Sequence, residues 1–145
     1  MQLEYVVRTD TDLRSVSWAT VSESDLRYNC FLGDVILTDG IVDLSARWGW
    51  ISVYDFALSM QWVLADLART GEAVLTFTES DATIRFTRAE ERVEISTSYA
   101  PGFVRVAMSD LEHSSRDLAT RLSRDGEHRH PDLTGNPHWL RLRHA

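Results

Sequence analysis

The side chains able to do acid–base, nucleophilic or metal chemistry are unevenly placed. All five histidines fall at or after residue 113. His113 precedes Asp117 by one helical turn, the spacing of a surface pair. His128, His130 and His138, with Asp132, have the donor types of a zinc site. Their stretch also holds Pro131 and Pro137 and reads as a polar connection, so no metal and no cofactor is assigned. The single cysteine, Cys30, excludes an intrachain disulfide. Flanked by Asn29 and Phe31, it reads as a small buried hydrophobe. No nucleophile elbow, phosphate-binding glycine loop or paired-histidine metalloprotease motif is present. No catalytic residue is assigned, and the expectation is a protein that is not an enzyme.

Carboxylates are the remaining candidates. Asp39-Gly40, between two alternating apolar runs, predicts a hairpin of type I′. Thr38 would then oppose Ile41, Leu37 oppose Val42, Ile36 oppose Asp43, Val35 oppose Leu44 and Asp34 oppose Ser45. Opposed residues share a face. One face carries Phe31, Val35, Leu37, Val42, Leu44 and Ala46 and is the core side. The other carries Asp34, Ile36, Thr38, Ile41 and Asp43. Two close carboxylates could serve hydrolysis or bind a cation. With two isoleucines beside them they also suit a contact with a basic protein.

The element that must organise these residues is a helix over Ser52 to Thr70. Ser52 and Asp55 have the spacing of a capping box, with Ile51 and Phe56 as its hydrophobic staple. Arg69 suits the last turn, and Gly71 suits a left-handed cap. Phe56, Met60, Val63, Leu64 and Leu67 recur at helical spacing. Asp55, Ser59, Trp62, Asp66 and Arg69 leave only a narrow polar stripe, so a sheet should cover the rest. Asp55 and Asp66 argue against a membrane span.

Around this helix the chain alternates strands and turns. Gln2 to Arg8 predicts a first strand, Thr9 to Leu13 a loop, Val16 to Val21 a short strand, and Ser22 to Asp25 an acidic loop. Arg47-Trp48-Gly49-Trp50 reads as a link that either caps the core or leaves a tryptophan open as a binding anchor. Val74–Thr78, Thr83–Arg88, Arg92–Tyr99 and Phe103–Met108 predict an antiparallel meander with a polar outer face. Ser109 and Glu112 predict the cap of an amphipathic helix ending at Gly126. Asn136-Pro137 predicts a short C-terminal turn docking Trp139, Leu140 and Leu142. The expected fold is a single α+β domain over residues 1–145. An antiparallel sheet of about six to seven strands packs on the central helix, with an amphipathic helix and a docked tail over 128–145.

The charge is asymmetric. Residues 1–101 hold 16 acids and 8 arginines, and residues 102–145 hold 6 acids and 7 arginines. An acidic body repels phosphates, which disfavours nucleic acid, and attracts a basic partner. All 15 basic residues are arginine, a composition typical of a high-GC genome. No signal sequence is evident, because Glu4 and Arg8 interrupt the first apolar stretch. A cytoplasmic protein without a membrane partner is expected.

In size, α+β order, lack of catalytic motifs and acidic loops such as Glu23-Ser24-Asp25 and Asp34/Asp43, the chain resembles the small acidic immunity proteins of bacterial polymorphic toxin systems. The stretch FLGDVILTDGIVDLSARWGW also resembles small proteins common in actinobacteria. The resemblance implies an inhibitor that binds a basic partner such as a toxin domain. Its contact residues would be Asp34, Ile36, Ile41, Asp43, Glu23, Asp25, Trp48 and Trp50. Two other readings stand beside it. One is a small-ligand binder with a pocket lined by Trp18, Trp48, Trp50, Trp62 and Tyr99. The other is a homo-oligomeric structural protein; the sequence leaves the oligomeric state open.

Overall fold

The computed structural model describes residues 1–8, 16–78 and 80–144. Among these residues, seven strands form two antiparallel sheets. The first holds β1 (Gln2–Val7), β2 (Leu32–Thr38) and β3 (Ala46–Ser52) in that order. The second is the meander β4 (Glu72–Thr76), β5 (Thr83–Ala89), β6 (Arg92–Thr97) and β7 (Phe103–Ala107). Among the described residues three α-helices accompany them: α1 (Glu23–Tyr28), α2 (Val53–Thr70) and α3 (Met108–Arg129). Two 3-10 turns, Pro131–Gly135 and Trp139–His144, follow α3. The fold is therefore α+β as expected, with its strands divided between two sheets.

Helix α2 forms where its end signals place it. The Ser52 hydroxyl accepts from the Asp55 N–H at 3.2 Å, and Gly71 takes φ 80° with its N–H on the Leu67 carbonyl. The Asp55 carboxylate pairs with Arg27 of α1. Burial pushes the Asp55 carboxyl up, against the pull of Arg27. Phe56, Met60, Val63 and Leu67 are buried, each contributing on the order of 1.5–3 kcal/mol of transfer free energy. The helix packs on β4 and β5, on the first sheet and on α3.

Three local expectations are not met. Residues 16–21 form a turn and extended coil, not a strand. The Asn136 side-chain amide donates to the carbonyls of Trp18 and Val21, each at 3.0 Å. Ser22 to Asp25 is not a loop but the cap and first turn of α1, with the Ser22 hydroxyl accepting from Asp25 N–H. Helix α3 starts at Met108 without a side-chain cap and runs past Gly126 to Arg129. Gly126 is needed there for another reason: a Cβ would lie 2.2 Å from the ring of Trp139. The tail is docked as the Asn136-Pro137 signal implies, with Trp139 and Leu142 buried and Asn136 Oδ1 accepting from His138 N–H at 2.9 Å. The expected Thr9–Leu13 loop falls mostly outside the described residues.

Two tyrosines, Tyr54 buried and Tyr99 half-buried, tie the layers together. Tyr54 donates to the His138 carbonyl at 2.8 Å, and Tyr99 to the Leu44 carbonyl at 2.8 Å. Burial pushes the Tyr54 phenol up to about 12, and burial also raises Tyr5 and Tyr99. An unfolded phenol ionises near pH 10, so between that pH and the folded value the unfolded state holds fewer protons. Stability is full below about pH 10 and falls as pH rises toward 12. For Tyr54 alone the loss is roughly 2–3 kcal/mol. Urea titrations across alkaline pH should show it, and a flat midpoint to pH 11.5 would contradict this (about one and a half units above the free phenol).

Candidate binding face

The outer face of the first sheet is built by strand alternation. Leu3, Val35 and Leu37 point into the core, and Glu4, Asp34 and Ile36 point outward. Strand β1 pairs with β2 so that Glu4 opposes Ile36 and Val6 opposes Asp34. Glu4 and Val6 thus join the face expected from the hairpin. Their alternation was legible, but their pairing with β2 spans a sequence gap that no local signal bridges.

The hairpin itself differs from the expected register. Asp39 N–H donates to the Val42 carbonyl at 3.3 Å and Leu44 N–H to the Leu37 carbonyl at 2.8 Å. The tip is therefore Gly40-Ile41, with Gly40 at φ 94°. Thr38 opposes Asp43, and Val35 opposes Ala46. The cause is the Asp39 side chain, whose Oδ1 accepts from the N–H groups of Ile41 and Val42 at 2.9 and 2.7 Å. It acts as an Asx turn and moves the loop along by one residue. The pairing shifts by two residues, which leaves every side chain on its expected face. Val42 packs where Gly102 leaves room, 3.2 Å from the position of a Cβ. Ile41 is left 92% exposed.

The tryptophan link is a correction. Residues 46–52 form a strand, β3, carrying a large bulge: Val35 opposes Ala46 while Gly33 opposes Ile51. Gly49 takes φ 77° and donates its N–H to Asp34 Oδ1 at 2.8 Å. The carboxylate thus replaces a missing ladder acceptor. Trp48 and Trp50 stack at 5.1 Å between centroids. Trp48 meets Phe77 and Tyr99 edge-on at 5.3 and 4.9 Å, while Trp50 stays 37% exposed. One tryptophan seals the gap between the sheets, and the other lies open.

The acids are held by in-chain partners. Asp43 Oδ2 pairs with Arg47 at 2.9 Å and its Oδ1 accepts from Ser45 N–H at 3.0 Å. Bonding to Ser45 and then Arg47 pulls its carboxyl down to about 2. Asp34 and Asp43 have different partners, Gly49 for the one and Ser45 with Arg47 for the other. Glu23 and Asp25 lie on α1. Asp25 accepts from Asn29 at 2.8 Å. Glu23 bonds Arg27 at 3.0 Å and Arg141 of the C-terminal turn at 2.5 Å. Those two arginines, Arg27 first, hold Glu23 below its usual range. Glu23 therefore faces the tail.

The five residues of the expected aromatic pocket are not one lining. Trp48, Trp50 and Tyr99 cluster. Trp18 stacks on His130 at 3.9 Å, and Trp62 is 66% exposed on α2. His138 lies 3.9 Å from Glu23. Among the described residues, no group of three or more His, Cys, Asp or Glu is placed to hold a metal ion. Among them, no helix is long and apolar enough to cross a membrane.

No family model, curated protein or solved structure matches the chain.

Proposed function

We propose that this chain is a non-enzymatic protein-binding module of the inhibitor or immunity type. It meets a basic partner through the outer face of its first sheet. The observation that carries this reading is the composition of that face. Val6 at 54% and Ile41 at 92% exposure stand open beside carboxylates already fixed by in-chain hydrogen bonds, and Trp50, 37% exposed, lies at the edge toward α2 and β4. Apolar and aromatic side chains supply most contact energy. Carboxylates held in place lose little freedom on binding. Each still has lone pairs for an arginine or lysine of the partner, and the net charge of −7 speeds encounter. Glu23 and Asp25 contribute to this field at a distance.

Co-purification of the tagged protein with the products of adjacent genes, at low and high salt, tests the reading. A stoichiometric basic partner, weakened by salt, is the expected result. No partner at either salt would count against it.

A further inference from the structure

The second sheet ends in two edge strands, β4 and β7. Arg88 N–H donates to the Gly71 carbonyl and Phe77 N–H to the Ala82 carbonyl, which fixes the phase of the β4 ladder. Ala73 and Leu75 therefore turn their backbone groups to β5, while Glu72, Val74 and Thr76 turn theirs outward. The Thr70 hydroxyl donates to the Glu72 carbonyl at 3.1 Å. Among the described residues nothing pairs with the backbone of Val74 or Thr76 on that open side.

This edge lacks the usual guards. It reads EAVLT, without proline, lysine or arginine, and the Val74 side chain is exposed. The other edges are defended. Strand β7 carries Arg105 at its centre, β1 gives its Leu3 carbonyl to Arg121 of α3, and β3 is bulged. Helix α2 runs back beside β4. Ser59 and Thr76 line one recess, and Thr70 reaches Glu72 at the other end. Trp62, Asp66 and Arg69 lie on the same helical stripe, with the Trp62 ring exposed. Helix residues rise about 1.5 Å and strand residues about 3.3 Å, so Trp62 is about level with Thr76 and Arg69 with Glu72.

We infer that a second copy of this chain occupies the edge. The two β4 strands pair antiparallel across a two-fold axis at Val74 and join the second sheets into one. Each Val74 N–H donates to the Val74 carbonyl of the other copy, and each Thr76 N–H to the other's Glu72 carbonyl. The row is self-complementary: valine meets valine, Glu72 meets Thr76, and no like charges oppose each other along the strands. The same axis sets Arg69 against Trp62 of the other copy. Arg69 bonds Asp66 at 2.9 Å, and a guanidinium held at its edge still stacks by its face. The pairing uses a different sheet from the partner-binding face, so either can fail alone.

Sedimentation across the micromolar range, with hydrogen exchange at single amides, is the test. A reversible dimer is expected, with a dissociation constant on the order of 10 µM for a small interface. The Val74 and Thr76 amides should exchange more slowly as concentration rises. Val74→Arg opposes two cations at the axis and should weaken the dimer by more than about tenfold, and Trp62→Ala by about tenfold. Phe103→Arg, on the β7 edge, should leave it unchanged. If Val74→Arg does not fold, Trp62→Ala and the exchange rates decide. A monomer throughout, a dimer with fast exchange at Val74, or a dimer broken by Phe103→Arg but kept by Trp62→Ala would overturn the assignment. So would protection of the Val74 amide only when a partner protein is added.

Discussion

Replacing Gly33 by alanine should remove more than about 3 kcal/mol of stability or abolish folding, the upper end of overpacking effects. A Cβ at Gly33 would stand 1.8 Å from the Val6 carbonyl oxygen and 3.0 Å from the Val7 Cα. Those atoms are backbone, so no rotamer change relieves the clash. The strands must separate where Val7 opposes Gly33, and Val6 and Glu4 would leave the outer face with β1. Gly135→Ala is the control, because a Cβ there meets nothing within 4 Å. Urea unfolding compares the two. A Gly33→Ala protein within about 1 kcal/mol of the parent would mean that β1 is not paired as described.

Truncating Trp139 to alanine should cost about 3–5 kcal/mol, the range for large aromatics in a core. Trp139 is fully buried. It touches Phe31 at 4.8 Å and stacks on Tyr54 at 5.8 Å, and its ring fills the space over Gly126. The tail is thus a structural part of the core and not an appendage. Trp139→Phe keeps one ring and should lose less than half as much. Equal losses for the two variants, or a loss below about 1 kcal/mol for alanine, would contradict this packing.

Elements marked by adjacent residues were legible in the sequence. Ser52 and Gly71 bound α2 because capping depends on neighbours only. The faces of β2 were legible through alternation, even though Asp39 moved the turn. What escaped were features decided at long range. The Arg47–Trp50 link became a strand because Asp34, fifteen residues earlier, supplies the acceptor for Gly49. Gly126 read as a helix end, yet it is a seat for Trp139. Residues 16–21 had a strand pattern, but Asn136 claims two of their carbonyls. At the candidate face, Asp34, Ile36, Ile41 and Asp43 lie outward as the alternation implied. Their in-chain partners Gly49 and Arg47 could not be read from spacing, nor could the arrival of Glu4 and Val6.

The most direct measurement is the affinity of the purified partner for the parent protein and for Ile41→Asp combined with Trp50→Ala. Ile41 is 92% exposed, whereas Trp50 stacks on Trp48 at 5.1 Å, so the double variant should unfold at a lower temperature but remain folded, and affinity is compared below that transition. Loss of the apolar anchors should weaken binding by about 100-fold, near 2.7 kcal/mol. Unchanged affinity in a folded double variant would place the contact elsewhere and contradict the assignment of this face.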